Sequence, residues 1–132
     1  MEIERDLKKR GVGKTVLVVD DNAAIRKKLA AAFLSDGFER CAEAENGKKA
    51  IELAERIMPD VIILDFSMPV MNGLEAAPRL RKACSNTPII LFTQYEESLS
   101  KTDVSKAGVS LVVPKTGSLS LLLDKAHELM GN

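Results

Sequence analysis

The chain carries no surplus of charge: 19 Lys and Arg stand against 19 Asp and Glu, a formal net charge of zero. No overall basic balance points to nucleic acid, although local patches stay open. Cysteine is scarce. Cys41 and Cys84 lie far apart, with no CxxC and no second soft ligand near either. That pattern argues against zinc and fits two reduced thiols in a cytosolic protein. Histidine occurs once, as His127. A catalytic His–Asp or Cys–His pair would have to use it, and nothing nearby in sequence supports one. It reads as a solvated residue on a surface helix. No apolar run is long enough to span a bilayer, so no membrane segment is expected. The opening MEIERDLKKR has no apolar h-region. No secretory signal is expected, and the cytoplasm is the expected compartment.

What is present suits one soluble domain. The 132 residues are 45% apolar and 29% charged, an ordinary globular mixture that argues against wholesale disorder. Residues 1–14, polar with Gly11 and Gly13, are expected to be an N-terminal extension, loosely ordered or a short helical turn. The folded domain is expected over 15–132. TVLVVD (15–20), VIILDF (61–66) and PIILFT (88–93) are continuous apolar runs, the mark of strands buried on both faces. Residues 39–44 are a weaker strand, and SLVVPK (110–115) is a last strand. Between them, helical spacing of apolar residues predicts helices over 23–35, 47–57, 74–83, 98–107 and 118–130. Pro78 inside the third should make it kink or begin late. The fourth, rich in Ser, Thr and Asp, is a poor helix. Alternating strands and helices require a parallel sheet with helices on both faces, an α/β fold.

In such folds ligands bind at the C-terminal ends of the strands. The first strand ends in Asp20 and Asp21, the third in Asp65, the fourth in Thr93 and the fifth in Lys115. Any one of these could be a helix cap or a solvated strand end; Asp21, for instance, could cap the helix that follows. As a set on one sheet edge they suggest chemistry. Three carboxylates repel one another unless a cation joins them, and oxygen-only ligands select Mg²⁺, with Mn²⁺ as the alternative. Lys115 offsets part of the remaining charge. Asp65 then becomes a candidate nucleophile toward a phosphoryl donor, with Lys115 and the Thr93 hydroxyl stabilising the phosphoryl oxygens.

Five elements stand in order: VVDDN (18–22), the string from Asp65 through Met68-Pro69 and Asn72-Gly73 to Ala76, LFT (91–93), Gly108, and Lys115. Their spacings are 45 residues from Asp20 to Asp65, 28 to Thr93 and 22 to Lys115. Over about residues 15–130 the chain resembles the receiver domain of two-component response regulators. The resemblance implies a flavodoxin-like (βα)5 doubly wound sheet with strand order 2-1-3-4-5. It implies that Asp65 is the phosphoacceptor, charged by a histidine kinase or histidine phosphotransfer protein. Asp21 would bind Mg²⁺ directly, Asp20 mainly through water, and the Ser67 backbone carbonyl would complete the protein's share of the shell. Thr93 would swing to the phosphoryl group and Lys115 would pair with it. Such a chain is regulatory, catalysing only its own phosphorylation and dephosphorylation. As a stand-alone receiver it would act on a downstream protein through its fourth helix, fifth strand and fifth helix. Nucleic acid and membrane are not expected as partners, and the state is a monomer or a phosphorylation-dependent dimer.

The sequence departs from the family's pattern at several points. Lys115 is followed by Thr116, so no cis bond is expected there. Val112 stands where many receivers carry an aromatic switch residue, and Tyr95 is the substitute, or else a half-exposed loop residue. Gln94 is bulky where a small residue is common, and should slow loss of the phosphoryl group. Other readings fit less well. A haloacid-dehalogenase-like phosphohydrolase wants an acid at position 67, which is Ser. A flavodoxin-like FMN site would not place Asp20 and Asp21 against phosphate. GVGKT (11–15) is no P-loop, because Lys8 stands where glycine is needed and the segment precedes a strand. A phosphorylation-independent interaction module with the same fold is the remaining alternative, and the complete acidic site argues against it.

Overall fold

The structure, a computed structural model, describes residues 11–131. Most of the expected N-terminal extension, residues 1–10, lies outside the described residues. Residues 11–14 form a turn, closed by the Lys14 amide on the Gly11 carbonyl at 2.9 Å. Gly11 is buried against Phe38 and donates its amide to the Asp36 carbonyl at 3.2 Å.

Five strands alternate with five α-helices: β1 (Thr15–Val19), α1 (Ala23–Ser35), β2 (Arg40–Ala44), α2 (Gly47–Ile57), β3 (Val61–Asp65), α3 (Gly73–Ala83), β4 (Ile89–Thr93), α4 (Lys101–Lys106), β5 (Leu111–Pro114) and α5 (Leu119–Met130). A 3₁₀ turn, Glu96–Ser98, precedes α4. All strand pairs are parallel, in the order β2-β1-β3-β4-β5. This is the predicted doubly wound α/β sheet.

The strand sequences explain the two layers. Successive side chains point to opposite faces. Leu17, Val19, Ile62, Leu64, Ile89 and Leu91 pack with Ala50, Ala54, Ala77 and Leu80 of α2 and α3. Val16, Val18, Ile63, Ile90 and Phe92 pack with Leu29, Phe33, Leu122 and Ala126 of α1 and α5. Both faces are covered, so the central strands read as unbroken apolar runs. Among the described residues, no helix is long and apolar enough to cross a membrane.

Asparagines start three helices. Asn22 caps α1, taking the amides of Ala24 and Ile25 at 2.9 and 3.2 Å. Asn46 caps α2, and Asn72 forms a capping box with Glu75. The cap of α1 is thus Asn22 and not Asp21.

The structure corrects three expectations. Helix α3 starts at Gly73 in spite of Pro78, which lies inside it. Pro78 is exposed, so the Leu74 carbonyl that loses its donor sits on the water side, and the capping box fixes the start upstream. Helix α4 has only 6 residues, shorter than predicted, because Leu99 is extended and Ser100 caps a new start. His127 is not a solvated surface residue: it is 1% exposed and hydrogen-bonds Asp36 at the end of α1. Its ring tilts against Phe38 with centroids 5.5 Å apart. A histidine one residue from Ala126 shares the inward face of α5, and the Asp36 carboxylate satisfies its nitrogen there.

Candidate functional site

Parallel pairing in register brings the strand ends level. Asp65 pairs with Phe92, and Thr93 pairs with Pro114 beside Lys115. Asp20 follows β1, its amide bonded to the Ala44 carbonyl at 3.1 Å. Ligand oxygens of Asp20, Asp21 and Asp65 lie within 4.8 Å of one another. Asp20 and Asp65 are buried, whereas Asp21 is exposed.

Two of the three carboxylates, Asp20 and Asp65, are held. The Asn22 amide donates to Asp20 Oδ1 at 2.9 Å. Lys115 Nζ reaches across the sheet edge to Asp20 Oδ2 at 3.0 Å and to Asp65 Oδ1 at 3.1 Å. Arg26, paired with Glu43 at 3.2 Å, donates to the Asp20 backbone carbonyl at 2.7 Å. Arg26 is a positioning residue that the strand-end pattern did not single out. Its signal was its place on α1, one turn after the acidic pair.

Burial pushes the Asp65 carboxyl above the ordinary carboxylate range, and the neighbouring Asp20 charge adds to this; Lys115 works the other way without cancelling it. For Lys115, burial lowers its proton affinity, but hydrogen bonds and charge from Asp20 and Asp65 outweigh burial and raise it. Lys115 is therefore a firm cation. One ammonium among three carboxylates leaves net negative charge on a compact, all-oxygen donor set. That is the chemistry of a hard divalent cation site. Asp20, Asp21 and Asp65 fit Mg²⁺.

These residues open into a cleft of about 340 Å³, lined also by Asn22, Ile25, Ser67, Gln94 and Tyr95. Thr93 is not in its lining. Its side chain is 1% exposed, and its hydroxyl oxygen accepts the Tyr95 amide at 3.0 Å. Tyr95 is 43% exposed and meets the Phe66 ring edge-on at 6.3 Å. Val112 is half-buried at the far side of β4. Among the described residues no peptide bond is cis, that after Lys115 included.

Behind Asp65 the chain turns back on itself. The Gly73 amide donates to the Phe66 carbonyl at 2.8 Å, and a Cβ at Gly73 would stand 2.5 Å from the Asp65 carbonyl oxygen. Only glycine allows this approach, which fixes the loop after Asp65.

A family model described as the response regulator receiver domain matches residues 16–127. The chemotaxis protein CheY of Thermotoga maritima is 34% identical over 118 residues, covering 89% of this chain and 98% of that protein. The regulatory protein AtoC of Escherichia coli is 36% identical over 118 residues, 86% of this chain, but the chain spans only 25% of AtoC. Other curated relatives are also longer; the chain spans 38% of the transcriptional regulatory protein YdfI of Bacillus subtilis. The structure of chemotaxis protein CheY4 of Vibrio cholerae superimposes with a TM-score of 0.79 at 28% identity, over 88% of this chain and 98% of that one. With the sheet order and the acidic strand ends in agreement, the chain belongs to the response regulator receiver domains of two-component systems.

Proposed function

We propose that the chain is a phosphorylation-driven switch, with residues 15–132 as the receiver and Asp65 as its phosphoacceptor. The observation that carries this is the buried Asp65 carboxylate, set beside Asp20, Asp21 and the single Lys115 ammonium. Lys115 engages Asp65 Oδ1, and the second oxygen attacks phosphorus. A phosphohistidine on a histidine kinase or histidine phosphotransfer protein is the donor. A P–O bond forms to Asp65, the P–N bond breaks, and the imidazole leaves with the electron pair and takes up a proton.

Asp21, Asp65 and the Ser67 carbonyl would hold Mg²⁺, with Asp20 acting mainly through water, and the ion would supply positive charge against the phosphoryl oxygens. Lys115 gives up part of its contact with Asp20 to pair with the phosphoryl group. The Thr93 hydroxyl turns toward it as well, and releases the Tyr95 amide that it holds at 3.0 Å. The segment from Tyr95 to Leu99 is then free to shift. Coupling by backbone release suits a chain with Val112 in place of an aromatic ring. The downstream partner reads the surface of α4, β5 and α5.

The test is intact mass after incubation with acetyl phosphate and Mg²⁺, in wild type and Asp65→Asn. A gain of about 80 Da, the mass of one phosphoryl group, should need Mg²⁺ and vanish in the variant. If neither acetyl phosphate nor beryllofluoride altered the wild type, the reading would fail in favour of a module that binds without phosphorylation.

A further inference from the structure

A second cleft lies away from the acidic one, between the 3₁₀ turn, α4 and β5, with a volume of about 550 Å³. Leu99, Val104 and Val112 line it, each only half-buried. Helix α4 buries none of its own residues. The fold thus leaves apolar surface uncovered here. In the same lining stands Glu96, whose Oε2 is sealed from solvent with no hydrogen-bond partner among the described residues. Buried carboxylate oxygens are costly when unpaired, and folded proteins leave few of them so. Glu97 beside it is exposed and adds a second negative charge. Lys101, also in the lining, is exposed and forms no ion pair among the described residues. It makes no ion pair with Glu96.

We infer that this groove takes a segment of a partner protein presenting an aliphatic side chain followed by an arginine or lysine. The aliphatic group lies on Leu99, Val104 and Val112. The cation meets Glu96, whose flexible side chain turns Oε2 out of the wall and so gains the hydrogen bond it lacks. Arginine suits the site better than lysine, since its less strongly hydrated fork loses less on entering a half-buried groove. The inference names the partner chemistry for the output surface proposed above, and rests on that reading only for its link to Asp65. The link is physical: the acidic wall begins one residue after Tyr95, whose amide is tied to Thr93.

The test titrates the full, unphosphorylated chain with n-butylguanidinium and, separately, with n-butylurea, a neutral analogue of similar shape. Amide ¹⁵N–¹H shifts report where each binds. Shifts near Asp20 and Asp21 are fitted separately, because that cluster also attracts cations. The expected result is a cluster of shifts at Leu99, Val104 and Val112, with the guanidinium bound about tenfold tighter than the urea. Glu96→Gln should abolish that preference with the remaining amide spectrum unchanged, and Glu97→Gln should keep most of it. An equal preference in wild type and Glu96→Gln, or shifts confined to other surfaces, would overturn the inference. A dimer in sedimentation velocity that Glu96→Gln dissociates would also overturn it, by assigning the groove to a second copy. Phosphoryl transfer to Asp65 is read by mass, so failure of either reading is visible without the other.

Discussion

Gly47 and Gly73 are a matched pair. Each is the first residue of a helix and follows an asparagine cap. Neither has the left-handed φ that favours glycine. Helix propensity alone predicts that alanine stabilises both, by up to about 1 kcal/mol. Space predicts otherwise. A Cβ on Gly73 would stand 2.5 Å from the Asp65 carbonyl oxygen, 2.8 Å from Leu91 Cδ1 and 3.0 Å from Phe66 Cα. Close carbon–oxygen contacts lie near 3.3 Å, so backbone must move by about 0.8 Å. The backbone in question ends β3, and Gly73 is itself bonded to Phe66. Overpacking of this kind costs about 1–3 kcal/mol. Taking the middle of that range, about 2 kcal/mol, less a propensity gain of up to about 1 kcal/mol, Gly73→Ala should lose roughly 1–2 kcal/mol.

At Gly47 the tight neighbour is Met71 Sδ at 2.9 Å, the far end of a flexible side chain. Met71 can rotate aside, so Gly47→Ala should stay within about 0.5 kcal/mol of wild type. Urea unfolding of the three proteins, compared at a common slope, measures the difference. Gly73→Ala should also take up phosphoryl from acetyl phosphate more slowly, because the displaced carbonyl belongs to Asp65, the proposed acceptor. Equal stability of the two variants would refute the steric argument, and so would a Gly73→Ala as stable as wild type.

Other perturbations follow from the charges and the clefts. Because Asp65 holds its proton more tightly folded than unfolded, its contribution to stability is present below the ordinary carboxylate range and lost as pH rises through the raised value. Asp65→Asn should therefore unfold at higher urea than metal-free wild type at pH 7, with the gap closing in acid and on adding Mg²⁺; a less stable variant at pH 7 would contradict this. Gln94→Ala widens the cleft beside Asp65 and should shorten the phosphoryl half-life about threefold or more by admitting water; an unchanged half-life counts against it. Burial, and then Glu43, push the Cys41 thiol up to about 12, and burial raises Cys84 as well. At pH 7 a thiol of that pKa is ionised in only about one molecule in 10⁵, so native protein should resist alkylation that urea-unfolded protein undergoes at once. Helix α4 buries no residue, whereas α5 buries Leu122, Ala126 and His127; α4 amides should exchange much faster, and equal protection would show that α4 is not the weak element.

The sheet was legible because its physics is local. A strand covered on both faces must be apolar throughout, and β1, β3 and β4 are. Once the alternation of strands and helices forces parallel pairing, the residue ending each strand lands on one edge. Asp20, Asp65, Thr93 and Lys115 could therefore be placed together although 95 positions separate Asp20 from Lys115.

What escaped depends on partners that no spacing rule supplies. His127 looks like any polar residue on an amphipathic helix until Asp36, 91 positions away, is seen to meet its ring. Pro78 should have delayed α3, but a cap six residues upstream outweighed one lost hydrogen bond on an exposed face. Thr93 was placed at the correct strand end, yet its hydroxyl serves the Tyr95 amide and not the cleft. A side-chain rotamer is set by competition among nearby donors, and strand-end counting does not see that competition. The same holds for Glu96: its charge is plain in the sequence, but its missing partner is a property of the packed wall. Residues whose role follows from the backbone path were readable, and residues whose role follows from a rotamer were not. The acidic cluster is of the first kind, and the coupling proposed from Thr93 through Tyr95 to the output surface is of the second.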